Sequence, residues 1–203
     1  MAQGHVIDLG AVIRKLNGSL RSKKVAILGY AFKKDTGDTR ESQAAEVVRL
    51  LRNESPLEIA IYDPQCTREV IEKELNQPGV RSTINVCDSP AEACDRASAV
   101  LILTDWNEFR HPAKDAKAFA HKSQFTTRGR LLPEPECDSN CSQCLISTAA
   151  KRATGGAMDW FHTAATMSAP KLVFDGRGVV DPVMLQAMGF RVEAIGKANA
   201  SSM

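Results

Sequence analysis

The chain has 203 residues, of which 43% are hydrophobic and 25% are charged, so it can form a buried core beneath a polar surface. Its net charge of +2 gives no reason to expect nucleic acid or a membrane surface as a partner. No apolar run approaches the roughly 18 residues of a membrane span. The first residues, MAQGH, lack the basic and apolar regions of a signal peptide. We therefore expect a cytoplasmic protein built as one domain with a long insertion.

Strands and helices alternate along the chain. Up to residue 87 the hydrophobic pattern predicts a helix over 6–20, a strand over 23–30, a helix over 41–53, a strand over 57–64, a helix over 66–76 and a weak strand over 80–87. Further along it predicts a short helix from Ser89-Pro90, strands over 99–105 and 171–177, a helix over 181–190 and a last strand over 191–197.

This alternation is typical of an α/β fold in which helices cover both faces of a parallel sheet. The short, nearly continuous apolar runs VAIL (25–28) and AVLIL (99–103) indicate strands that are buried on both faces. Ligands of such sheets bind beyond the carboxyl ends of the strands. Function is therefore sought in the loops that follow Gly29, Asp63, Asp105 and Asp175.

Residues 110–157 interrupt this rhythm with several prolines and glycines and little periodicity, and we interpret them as an insertion, mostly loop or disordered. Zinc is one interpretation of the three cysteines there, with a histidine as fourth ligand, but the spacing lacks the two paired sites of a zinc knuckle. We expect a fortuitous cluster and no metal site; the residues concerned are Cys137, Cys141 and Cys144, with His121 or His162. The other cysteines, Cys66, Cys87 and Cys94, are predicted to be reduced and packed.

The loop AFKKDTGDTR (31–40) carries the strongest functional signal in the sequence. It places basic side chains directly after a buried strand and before a helix, whose N-terminus favours an anion. The glycine pattern G-x-G-x-x-G of ordinary dinucleotide-binding domains is missing, since Gly29 is followed by Tyr-Ala-Phe-Lys. A charged surface loop whose Asp and Lys side chains pair with each other is the alternative.

The segment VAILGYAFKKDTGDTRES (25–42) resembles the sequence with which the C-terminal domain of the UDP-glucose/GDP-mannose dehydrogenase family begins. Its residues are most similar to those of the eukaryotic UDP-glucose 6-dehydrogenases. Further stretches agree in order and spacing: IYDP (61–64), PAEACDRASAVLILTDWNEF (90–109), FDGR (174–177) and GFRVEAIGK (189–197). The resemblance covers residues 5–109 and 158–197.

The resemblance implies roles for individual residues. Phe32, Lys33 and Arg177 would contact the nucleotide sugar, and Arg40 would reach across a cleft to NAD. A diphosphate suits these side chains, because Arg offers a forked donor and Lys a point charge. Asp63 ends the second strand, where Rossmann-like domains place a residue at a ribose; it is either structural or weakly facing the ligand. Gly178 stands where the family often has a second basic or polar residue.

The sequence also departs from the family pattern. The catalytic cysteine of the family follows a Gly-rich motif, and none of the six cysteines here does, so no catalytic residue is predicted. The NAD-binding domain is not recognised either. Residues 1–22 resemble the end of the central helix that joins the two halves, and 23–109 with 158–203 resemble the UDP-sugar domain. The chain is therefore expected to be a truncated product, a truncated gene model or part of a split enzyme.

Two functions follow from the resemblance. The first is the nucleotide-sugar-binding part of an NAD-dependent enzyme that oxidises UDP-glucose to UDP-glucuronate. The second is a stand-alone module that binds UDP-glucose or UDP-glucuronate, or a non-catalytic fragment that associates with a full-length dehydrogenase. A homo-oligomer is the remaining partner expected from the family.

Overall fold

The computed structural model describes residues 8–75, 84–110 and 157–194. Its centre is a six-stranded sheet in which every neighbouring pair of strands is parallel, with the order β3-β2-β1-β4-β5-β6. The strands are β1 (Lys24–Leu28), β2 (Glu58–Tyr62), β3 (Ile84–Val86), β4 (Ala97–Ile102), β5 (Leu172–Asp175) and β6 (Arg191–Ala194). The α/β fold expected from the sequence is confirmed.

Short helices connect the strands. They are α1 (Leu9–Lys15), α2 (Gln43–Asn53), α3 (Arg68–Leu75), α4 (Pro90–Cys94), α5 (Trp160–Thr166) and α6 (Pro182–Ala187), and one 3-10 turn covers Asn107–Phe109. The helix expected over 6–20 ends at Lys15, because Asn17 and Gly18 adopt positive φ angles of 61° and 74°. Neither α5 nor the 3-10 turn is predicted by the sequence pattern. None of the helices described is long and apolar enough to cross a membrane.

The core lies on both faces of the central strands. All six residues of β4 are buried, and so are four consecutive residues of β1, Val25 to Leu28. Burial of successive residues means that both faces of the sheet are covered, since neighbouring side chains point to opposite faces. The right-handed crossovers of parallel sheets place the helices on the two faces in this way.

Backbone and side-chain contacts join the chain on the two sides of segment 111–156. The Met158 N–H donates to the Glu108 carbonyl (2.6 Å), and the Trp160 indole N–H donates to the Phe109 carbonyl (3.1 Å). The chain up to residue 110 and the chain from residue 157 therefore contact each other directly within one domain. The cysteine cluster, His121 and nearly all of the expected insertion lie outside the described residues.

We expect that replacing 111–156 by a short Gly-Ser linker leaves the domain folded. A shorter loop loses less conformational entropy on closure, so the free energy of unfolding should stay the same or rise by about 1–2 kcal/mol. Urea denaturation of the two proteins measures this difference. An excised chain that no longer unfolds cooperatively would show that 111–156 contributes contacts to the core.

Candidate functional site

The carboxyl ends of β1 and β4 meet at the centre of the sheet, where the strand order changes direction. Gly29 follows β1 with a φ of +93°, and a Cβ atom added there would lie 2.5 Å from the Cβ of Thr104. The Thr104 hydroxyl donates to the Ala31 carbonyl (2.7 Å). The loops that follow β1 and β4 are thus in direct contact, and only glycine permits this approach.

The loop after β1 is folded on itself and tied to the helix that follows. The Phe32 N–H donates to the carbonyl of Asp38 (2.9 Å), which closes the loop. The Ser42 hydroxyl donates to the Tyr30 carbonyl (2.6 Å) and accepts from the Ala44 N–H (3.1 Å) as the N-cap of α2. The Cβ of a residue at Gly37 would lie 2.8 Å from the Gln65 carbonyl oxygen, so this loop also packs closely on the one after β2.

Phe32 and Lys33 project from the start of this loop and are exposed, Phe32 to 47% of its surface. An exposed aromatic ring beside a cation is suited to a ligand that has both an apolar face and a negative charge. Arg177, in the loop after β5, is also exposed. Since β4 alone lies between β1 and β5, the two loops are separated by two strand spacings, about 10 Å.

Hydrogen bonds to the protein hold both the side chain and the backbone of Arg177. Its Nε–H donates to the Leu103 carbonyl (2.7 Å), so one edge of the guanidinium is fixed by the strand end of β4. Its backbone N–H donates to the carboxylate of fully buried Asp175 (2.9 Å), which also accepts from the Val180 N–H (2.9 Å). The two terminal nitrogens of the guanidinium make no hydrogen bond to the described residues and can bind an anion.

Arg40, at the end of the loop after β1, is paired with a carboxylate of the same loop. Its Nε and Nη2 donate to the two carboxylate oxygens of Asp38 (2.9 and 2.8 Å), and 87% of its side chain is exposed. The hydrogen bonds from Arg40 lower the pKa of Asp38 to about 2 and raise the pKa of Arg40. Both groups therefore stay charged at neutral pH. The pair is exposed and adds little to stability, but it orients the guanidinium.

Asp63 ends β2 and is the most heavily bonded side chain of the site, with 7% of its surface exposed. It accepts hydrogen bonds from the residues that follow β1, from its own loop and from Trp106 after β4. These contacts agree with the structural alternative. Neither Thr104 nor Trp106 is singled out by the sequence pattern, although their position at the end of the predicted strand over 99–105 is a signal that could have identified them.

The cysteines within the described ranges are free and buried, which confirms the expectation for Cys66, Cys87 and Cys94. Burial raises the pKa of the Cys66 thiol to about 12 and that of the Cys87 thiol to about 11, and it raises the pKa of Cys94 as well. All three are therefore protonated at neutral pH and are poor nucleophiles. In the same ranges no cluster of His, Cys, Asp or Glu could hold a metal ion, and His162 is exposed.

The strand order, which changes direction between β1 and β4, defines an α/β domain of the Rossmann type. The sequence profile of the UDP-glucose/GDP-mannose dehydrogenase family, UDP binding domain, matches residues 26–135, more than half of the chain. The chain belongs to this family.

Similar proteins agree with this assignment. UDP-glucose 6-dehydrogenase of Bos taurus is 32% identical over 198 residues, which cover 94% of this chain and 31% of that protein. UDP-glucose 6-dehydrogenase 1 of Arabidopsis thaliana is 30% identical over 203 residues, covering 92% of this chain and 32% of the relative. The chain thus spans about a third of the length of these relatives.

Among solved structures, the UDP-D-ManNAc dehydrogenase of Pyrococcus horikoshii superposes with a TM-score of 0.52 at 24% identity. The superposition covers 93% of this chain and 29% of that one. At this identity the likeness supports the fold.

Proposed function

We propose that this domain binds the UDP part of a nucleotide sugar at the carboxyl ends of β1, β4 and β5, with Phe32, Lys33 and Arg177 as the contacting side chains. The observation that carries the proposal is the placement of Lys33 and Arg177 on the two sides of β4. A diphosphate carries about two negative charges and fits between two such cations. Phe32 supplies an exposed apolar surface for the base or the sugar.

The described residues lack two features of a dinucleotide site, the glycine pattern after the first strand and a free carboxylate after the second. The loop after β1 lacks the glycine pattern that lets a pyrophosphate approach the backbone, and the Asp63 carboxylate is occupied by N–H donors of the protein. The described residues therefore do not fit NAD as a ligand of this sheet. We propose a single contact to NAD, from the outward-facing guanidinium of Arg40.

In a complete enzyme of the family, this domain would hold UDP-glucose while NAD-dependent oxidation to UDP-glucuronate takes place on other residues. The family membership and the names of the similar proteins support this role. Association with a full-length dehydrogenase or with a second copy, and a cytoplasmic location, belong to the same proposal. A stand-alone module that binds UDP-glucose or UDP-glucuronate would use the same site.

Calorimetric titration with UDP and UDP-glucose tests the proposal. We expect a Kd on the order of tens of micromolar to millimolar for the wild-type chain, and at least about tenfold weaker binding for Arg177→Ala, because a charge-assisted contact is lost.

Arg191→Ala is the matched control for this titration. Arg191 is also an exposed arginine, but it begins β6 and so lies at the opposite end of the sheet. It should bind UDP as the wild type does. The proposal fails if a folded wild-type chain gives no binding, or if the two arginine variants lose affinity equally. GDP as a competitor shows whether the base is read.

A further inference from the structure

The carboxylate of Asp63 is surrounded by five N–H donors. Its Oδ2 accepts from the backbone N–H groups of Tyr30 (2.7 Å) and Ala31 (2.9 Å) and from the Trp106 indole N–H (3.0 Å). Its Oδ1 accepts from the backbone N–H groups of Gln65 (2.8 Å) and Cys66 (2.9 Å). The two oxygens of a carboxylate offer about four lone-pair sites, so this group has no acceptor capacity left for a ligand.

The donors come from three different loops. Tyr30 and Ala31 follow β1, Gln65 and Cys66 follow β2, and Trp106 follows β4. One buried side chain therefore joins the carboxyl ends of three adjacent strands. Hydrogen bonds to an ionised acceptor are shorter and stronger than neutral ones, so this side chain fixes the three loops relative to one another.

The peptide groups that precede Phe32 are held from both sides. Asp63 binds the N–H groups of Tyr30 and Ala31, while the hydroxyls of Ser42 and Thr104 bind the carbonyls of the same two residues. The backbone immediately before Phe32 is therefore fixed through both its N–H and its carbonyl groups. Phe32 and Lys33 follow directly and are exposed.

We propose that Asp63 is a positioning residue of the nucleotide-sugar site: it fixes the backbone from which Phe32 and Lys33 extend and makes no contact with the ribose. In dinucleotide-binding sheets an acidic residue beyond the second strand accepts a hydrogen bond from the ribose. Here the carboxylate is turned into the protein. This inference rests on the proposed function, because the affected ligand is UDP.

The variant Asp63→Asn tests the inference. Its amide NH₂ must face either the Tyr30, Ala31 and Trp106 donors or the Gln65 and Cys66 donors, so one set loses its acceptor. We expect UDP affinity to fall at least about tenfold, and the backbone amide signals of Ala31 and Lys33 to shift. In a ¹H–¹⁵N spectrum the Trp106 indole signal should also shift, while that of Trp160, which is bonded to Phe109, should stay in place.

A control variant separates positioning from general destabilisation. Val192→Ala removes buried volume from the edge strand β6, away from the three loops. At a temperature where both variants are folded, it should bind UDP like the wild type. Equal UDP affinity in Asp63→Asn and the wild type overturns the inference, and so does an equal loss in Val192→Ala.

The NMR signals distinguish a failure of the positioning role from a failure of UDP binding. If the wild type binds no UDP, the proposed function fails and the nucleotide part of this inference fails with it. If the wild type binds UDP but the Trp106, Ala31 and Lys33 signals are unchanged in Asp63→Asn, the proposed function stands and the positioning role is wrong.

Discussion

Replacement of Gly29 by alanine is expected to destabilise the domain by about 4 kcal/mol or more, a large part of the stability of an ordinary domain. An L side chain at a φ of +93° is strained. The added Cβ would also lie 2.5 Å from the Thr104 Cβ and 2.7 Å from its backbone nitrogen. Relief would require β1 and β4 to separate at their carboxyl ends, where their backbones are paired. Chemical denaturation measures the effect.

Gly189→Ala is the matched control, because Gly189 has nearly the same φ (+92°) but nothing within 4 Å of the added Cβ. It should cost only the backbone strain, about 1–2 kcal/mol. The difference between the two variants then isolates the close approach of Thr104. Equal losses in the two variants would mean that the loops after β1 and β4 can move apart at little cost.

The strands at the centre of the sheet can be predicted from sequence because both of their faces are buried. Residues in β1 and β4 are buried on both faces, so an apolar run without any period is sufficient to locate them. The predicted strand over 99–105 begins two residues late and runs three residues past the end of β4. Ala97 and Ser98 are buried but too small or polar to extend the apolar run, and the pairing with β1 is irregular at this point.

The features that could not be predicted from sequence depend on contacts with residues that are distant in the chain. The helix α5 has only seven residues, too few for a clear period, and its place is set by bonds to Glu108 and Phe109 across segment 111–156. The direction of the Asp63 carboxylate depends on donors from two other loops. The Asp38–Arg40 pair is different, because its members are only two residues apart. The alternative stated for this loop was pairing between Asp and Lys, and the cation that pairs with Asp38 is an arginine.

Trp160→Ala should lower the free energy of unfolding by about 3–5 kcal/mol, because the side chain is 1% exposed and its removal leaves a cavity. The indole packs edge-on against Phe190, with ring centroids 5.6 Å apart, and donates to the Phe109 carbonyl. It therefore joins the 3-10 turn before segment 111–156 to the chain between α6 and β6. Urea denaturation followed by far-ultraviolet circular dichroism measures the loss.

Trp160→Phe keeps most of the ring contact with Phe190 and removes the hydrogen bond to Phe109, so a smaller loss of about 1–2 kcal/mol is expected. Because Phe109 and Trp160 lie on opposite sides of segment 111–156, a large effect of the alanine variant on one cooperative transition would mean that both sides belong to the same folding unit. A separate transition, or a loss below that of the phenylalanine variant, would mean that α5 docks on a sheet that is already stable. The proposed nucleotide site would then be complete without α5, since its three proposed residues, Phe32, Lys33 and Arg177, all lie on loops of the sheet itself.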